Sequence, residues 1–331
     1  MTASFSRLVR FIPKSDPSKV LIGEPVDPNV DVGLTLYDGK DVAVRTYSGS
    51  SILSPGKRTE TVETIARVLS PLAQEEVGTI RCIGLNYVSH AAEMNLAIPD
   101  IPTIFLKPAT ALADPWPAPS ILPKITQRDS TGDYESELAI IIGKTAKNVS
   151  EQDALDYVLG YTAANDVSSR TAQTSQSQWC FSKGFDTACP LGRSKPQTSL
   201  DSVCLSDTAI YTGPVVASTS LVPDVSKLRI RGVKNGKVMQ DCGLEDMIFT
   251  VPQLVSFLSQ STTLPAGTVI LTGTPPGVGA AKKPPEFLKA GDEFRVQLEP
   301  THNNIILRIQ TSVGRVGHYL LGQLYSGQTD S

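Results

Sequence analysis

Apolar and polar positions change their period several times along the 331-residue chain, and each change marks an expected element. Residues 7–12 (Arg-Leu-Val-Arg-Phe-Ile) read as a strand. Residues 32–37 and 41–47 alternate on either side of Asp38-Gly39, a pair suited to a turn that needs positive φ, so a hairpin is expected there. Val62, Ile65, Ala66 and Leu69 recur at helical spacing and predict a helix that Pro71 ends. Residues 1–75 therefore read as a small α+β domain for packing or dimerisation, without a cluster suited to chemistry.

Residues 76–331 read as a second, predominantly β domain. A strand over 79–84 leads into a helical turn over 85–94. Seven prolines between Pro99 and Pro123 forbid a continuous helix or a central strand, and predict a long ordered loop of the kind that covers a site. The unbroken apolar run 138–142 is a buried strand. Ser150 is expected to cap a helix with apolar face Ala154, Leu155, Val158 and Leu159, stopped by Gly160, and 161–167 returns to strand. Asn235-Gly236 joins 228–233 to 237–240 as a hairpin, and Pro252 fits the first turn of a helix over 251–258. A strand over 269–271 runs into the rigid turn Thr272-Gly273-Thr274-Pro275-Pro276-Gly277-Val278-Gly279, and 294–298 and 305–309 supply closing strands.

Candidate chemistry concentrates where the buried strand begins. Side chains alternate along a strand, so Glu135 and Glu137 face one way and Ser136 the other. Two carboxylates so placed need a cation, a shared proton or open water. Asp166 lies near the end of the strand over 161–167; in parallel neighbours it would lie roughly 20 Å from the glutamates. If it joins them at one cation, the two strands must run antiparallel or cross steeply. His90 and Glu93 are three apart on a helical turn and face one side, an arrangement that makes a general base of the imidazole. Lys183, among Trp179, Phe181 and Phe185, would bring positive charge to an acidic site. Thr274 and the amides after it are suited to an anionic substrate.

Composition narrows the function. A formal charge of -3 from 30 basic and 33 acidic residues, with no long run of either sign, argues against nucleic acid or a polybasic membrane surface. No window approaches 18 consecutive apolar residues. Cys82, Cys180, Cys189, Cys204 and Cys242 form no CxxC pair and are odd in number, which fits a reducing compartment. Arg7, Arg10 and Lys14 raise a mitochondrial presequence as an alternative, but the strand-like character of this stretch favours the cytoplasm. There is neither a G-x-S-x-G elbow nor a phosphate loop.

Five stretches in order, GLNYVSHAAEM, GDYESELAIIIGK, YTAANDVSSR, QWCFSKGFD and LTGTPPGVG, resemble the fumarylacetoacetate hydrolase family over about residues 80 to 300. The resemblance implies a mixed α/β, predominantly β fold: a β-roll or incomplete barrel wrapped around a divalent cation, with a small N-terminal domain, assembled as a homodimer. It implies Glu135, Glu137 and Asp166 as metal ligands, His90, Glu93 and Lys183 as catalytic residues, and Arg170, Gln173 and Thr274 as substrate contacts. Leu85 stands where many members acting on acylpyruvates carry Arg, a departure that leaves Arg170 to meet a substrate carboxylate. Three carboxylates suit Mg²⁺ or Mn²⁺, with Ca²⁺ as an alternative. The expected activity is metal-dependent hydrolysis or decarboxylation at a C–C bond of a small-molecule β-diketo or oxo-acid, through a stabilised enolate. Oxaloacetate keto–enol tautomerisation is the second reading, and a non-catalytic binding protein on the same fold a third.

Overall fold

The computed structural model describes residues 5–115, 117–191, 215–301 and 309–313. Its strands are β1 (Arg7–Pro13), β2 (Leu21–Pro25), β3 (Ala43–Tyr47), β4 (Arg58–Val68), β5 (Thr79–Ile83), β6 (Ile104–Pro108), β7 (Ser136–Ile142), β8 (Val158–Asn165), β9 (Val216–Ser218), β10 (Leu228–Lys234), β11 (Lys237–Gly243), β12 (Val269–Leu271), β13 (Phe294–Pro300) and β14 (Ile309–Val313). Short helices α1 (Val32–Tyr37), α2 (Val88–Glu93), α3 (Arg170–Thr174), α4 (Cys180–Lys183) and α5 (Val251–Ser259) lie between them.

Ten strands form one sheet in the order β2-β3-β4-β1-β9-β8-β7-β12-β5-β6, and a second runs β11-β10-β13-β14. Ile140, Ile142 and Ala163 of the large sheet share a core with Ile230, Phe294, Val296 and Leu298 of the small one. Closing one sheet over the other in this way gives the incomplete barrel. The opposite face of the large sheet buries Phe105, Cys82, Leu271, Ala139, Ile141 and Ala164 together.

Three expected elements are different. Residues 32–37 are helix, not strand: Asp31 accepts from Leu34 N at 2.8 Å, capping the first turn. The Asp-Gly pair then ends that helix, with Gly39 at φ 72° and Lys40 N donating to Thr35 O at 3.0 Å. The stretch read as a helix over 62–69 is strand, within β4 between β3 and β1. Its β-branched Thr59, Thr61, Val62, Thr64 and Ile65 suit a pleated surface better than a helix, and Val62 is exposed. After Ser150 there is only a 3₁₀ turn over Ala154–Tyr157, and Gly160 lies inside β8. A Cβ at Gly160 would sit 2.2 Å from Ala217 O of the neighbouring β9, so this glycine serves a close backbone approach and not a helix stop.

The hairpin at Asn235-Gly236, helix α5 and the strand at β12 form as expected. The proline-rich segment includes β6, an edge strand as its prolines require. The strand expected over 305–309 lies, apart from Ile309, outside the described residues; β14 pairs with β13 just after it.

Candidate metal and acid–base site

The site begins with a register. β7 and β8 are antiparallel, with Ala164 opposite Glu137 and Asn165 opposite Ser136. Asp166 leaves β8 where β7 starts, and its N–H donates to Glu135 O at 2.9 Å. One oxygen from each of Glu135, Glu137 and Asp166 lies within 4.8 Å of the others, and all three residues are buried. The antiparallel pairing needed for the three to meet is therefore present.

Three cations surround these acids. Lys183 Nζ donates to Glu135 Oε2 at 2.7 Å, Asp166 Oδ2 at 3.0 Å and Ser168 Oγ at 2.7 Å. The ring nearest its ammonium is that of Phe105, 5.0 Å from Nζ to centroid, not Phe181, which is exposed. Lys107 Nζ lies 2.7 Å from Asp166 Oδ1, while its N–H groups point to the carbonyls of Ala188, Lys183 and Val167. That contact is thus one of charge, not an aligned hydrogen bond. Arg170 donates from Nε to Asp133 Oδ2 at 2.8 Å and from Nη1 to Gln173 Oε1 at 2.8 Å, with Nη1 also 2.7 Å from Glu135 Oε1. Arg170 and Gln173 are engaged with protein groups, though Arg170 Nη2 is buried without a hydrogen-bond partner among the described residues.

The electrostatics split the acids. Burial alone would raise Glu135, but Lys183 and Arg170 outweigh it and hold its carboxyl at about 2. Glu137 goes the other way: burial, then the charges of Asp166 and Glu135, push it well above the carboxylate range. Burial opposes the charge on Lys183, yet Asp166 and Glu135 raise it above the usual lysine value.

Helix α2 holds His90 and Glu93 together. His90 Nδ1 is 2.9 Å from Glu93 Oε2, and Gly277 N donates to Oε1 and Oε2 of Glu93 at 2.9 and 3.1 Å. Asn86, just before the helix, donates from Nδ2 to Thr272 O at 2.8 Å and accepts from Phe249 N at 2.7 Å. Asp246 accepts from Ser89 N at 3.0 Å. The helix is thereby fastened to the 272–279 turn, whose Gly273 N donates to Glu137 Oε2 at 2.7 Å. Thr274 is an interior strut: its hydroxyl donates to Ser136 O at 3.1 Å and accepts from Gln240 Nε2 at 2.8 Å.

The donor set fits a hard divalent cation. Glu137 Oε1 is buried with no hydrogen-bond partner among the described residues, an arrangement too costly for a carboxylate without a proton or a cation. With one oxygen from each of three carboxylates lying this close together, the site offers the hard oxygen donors that such a cation takes.

Two residues of this site were absent from the sequence reading. Lys107 carried one signal, a lysine directly after the apolar run Ile104-Phe105-Leu106. Asp133 accepts from Gly279 N at 2.8 Å, Ala280 N at 2.9 Å and Arg170, so it ties the glycine-rich turn to the guanidinium beside Glu135. Only the long-range contact reveals that role.

Known proteins carry the same architecture. The fumarylacetoacetate (FAA) hydrolase C-terminal family model matches residues 79–310. A caffeoylpyruvate hydrolase of Neonothopanus nambi is 41% identical over 297 residues, covering 88% of this chain and 89% of that protein. Oxaloacetate tautomerase fahd2, mitochondrial, of Xenopus laevis is 36% identical over 304 residues, covering 88% and 87%. The solved structure of a fumarylacetoacetate hydrolase from psychrophilic Exiguobacterium antarcticum superposes with TM-score 0.70 at 25% identity, over 94% of this chain and 100% of that one. A 2-hydroxyhepta-2,4-diene-1,7-dioate isomerase from Mycobacterium marinum gives 0.67 at 28%, over 94% and 98%. With a family model matched over most of its length and relatives along nearly all of it, the chain is an enzyme of the fumarylacetoacetate hydrolase family.

Proposed function

We propose that the protein is a divalent-metal-dependent hydrolase of an acylpyruvate. The observation that carries this reading is the unpartnered Glu137 Oε1 in a buried set of three carboxylates, on the same glycine-rich turn that holds the His90–Glu93 pair. A cation held by Glu135, Glu137 and Asp166 would supply Lewis-acid polarisation of a substrate carbonyl. Glu93 keeps the proton of His90 on Nδ1, which leaves Nε2 to accept one from water. The water oxygen joins the acyl carbon, the bond from that carbon to the pyruvate CH₂ breaks, and the pyruvate carbon takes up a proton. Lys183, charged and buried, offsets the negative charge that develops on pyruvate. Arg170, through Glu135 and Asp133, fixes the orientation of the first ligand.

The second reading, oxaloacetate tautomerisation, is favoured by the similarity to the Xenopus laevis protein. Incubating purified protein with Mg²⁺ or Mn²⁺ and a panel of acylpyruvates, oxaloacetate and fumarylacetoacetate, read by mass spectrometry and enol absorbance, separates the two. Pyruvate plus a free acid supports hydrolysis; enol loss with no change of mass supports tautomerisation. A homodimer, carried over from the family resemblance, fits the exposed Ile104 and Leu106 on edge strand β6, and light scattering tests it. The cytoplasm remains our compartment, with mitochondria the alternative that cell fractionation checks.

A further inference from the structure

His90 rides on a helix that its own sequence does not hold in place. Helix α2 is six residues long, well short of what stands alone in water, and Tyr87 at its N-cap makes no side-chain bond to the first turn. The first N–H groups of a helix have no partner within it, and that of Ser89 is one of them. Its partner comes from 157 residues further along the chain. Asp246, at the end of the 3₁₀ turn Leu244–Asp246, accepts from Ser89 N at 3.0 Å through Oδ2, and from Ser89 Oγ through the same oxygen. This carboxylate does from across the fold what a capping side chain ordinarily does from the preceding residue.

Around this contact, the residues before α2 are stitched to those after Asp246. Ile248 N donates to Asn86 O at 2.8 Å, Asn86 Nδ2 donates to Phe249 O at 3.1 Å, and Tyr87 forms a backbone bridge with Met247. Asn86 and Tyr87 are buried, whereas Ser89 and Asp246 are half-buried, so the Asp246 contact is the one that can be removed with the rest in place. The other end of α2 is held through Glu93 by Gly277 N. One hold at each end fixes how the helix lies, and His90 stands between them. Losing the first hold would let the helix turn about the second. A displacement of about 1 Å in a reacting group can cost about 10²-fold in rate.

We infer that Asp246 is a positioning residue for the reaction. Its hydrogen bonds among the described residues run to Ser89 and Cys242, not to the carboxylate cluster, so it acts by setting where His90 stands. The inference rests on the reading of His90 as the base above and adds to it the residue that places that base.

The test is a double-mutant cycle in full-length enzyme with Mg²⁺, on acetylpyruvate or benzoylpyruvate, whichever the parent turns over faster. Asp246→Ala should lower kcat by about tenfold to a hundredfold with KM within about threefold. Calorimetric Mg²⁺ binding should stay at the parent value, while amide hydrogen exchange over 88–94, read without substrate, should quicken at least about tenfold. Asp246→Asn keeps an oxygen that can accept from Ser89 and should recover most of the rate. In a His90→Ala background, Asp246→Ala should cost less than about twofold more, because the residue acts only through the imidazole. Should Asp246→Ala fail to fold, Ser89→Ala removes the hydroxyl bond alone and should move kcat and exchange in the same direction by a smaller factor. Losses that multiply in the double variant, or exchange that stays at the parent rate, would overturn the role of Asp246 while leaving the hydrolase reading intact. A parent enzyme that cleaves neither compound would overturn the hydrolase reading and the role with it.

Discussion

Two clusters of charged side chains sit on the two sheets, and they differ in how deeply they are buried. On the small sheet, Arg231 of β10 lies directly opposite Asp241 of β11, 3.0 Å from Nε to Oδ1, with Arg229 and Glu299 beside them. Three of these four side chains are about a third exposed or more, so water screens them and the pairs serve as ordinary cross-strand contacts. On the large sheet, Lys107 and Asp166 are fully buried and Lys183 nearly so. There the charges cannot relax into solvent, and each depends on its neighbours for compensation. Like residue types therefore make screened cross-strand pairs at one place and a tightly interdependent cluster at the other, the difference being burial.

That contrast breaks most sharply at Glu137. Glu137→Ala should abolish metal-dependent turnover, with the circular dichroism spectrum kept and the rise in melting temperature on adding Mg²⁺ lost. Retained turnover would move the chemistry elsewhere. His90→Ala should slow acylpyruvate cleavage by about 10²–10⁴ while calorimetric Mg²⁺ binding stays at the parent value. Should the variant still process oxaloacetate at close to the parent rate, His90 is not the base for that reaction. Lys107→Met strands Asp166 beside a missing partner and should cost about 3–5 kcal/mol in urea unfolding. Asp241→Ala on the small sheet should cost under about 1 kcal/mol, a loss that shrinks further in 1 M salt. If the last two variants prove equally mild, burial does not separate the clusters as described.

Much of the site was legible because its acids are local: Glu135 and Glu137 share a strand face by alternation alone, and His90 and Glu93 share a helical turn. The antiparallel run of β7 and β8 followed from strand rise and the need to bring Asp166 back. Lys107 and Asp133 were hidden because their meaning arises only from partners 59 and 146 residues away, Asp166 and Gly279. The misread elements share one cause. Short apolar patterns at 32–37, 62–69 and 154–159 suit either period; the Asp31 cap decided the first, and pairing with β1, β3 and β9 the other two.

The register of β7 on β8 has a consequence for how this enzyme tolerates change in its length. Glu135 N donates to Asn165 Oδ1, Asp166 N to Glu135 O, and Gly273 N to Glu137 Oε2, so the alignment is pinned at the site itself. The connection over 143–157, at the far end of both strands, does not set it. Residues added or removed within that connection leave the three carboxylates facing one another. A single residue inserted between Glu135 and Glu137 would instead put the two carboxylates on opposite faces of the strand and dismantle the site without altering one of its side chains.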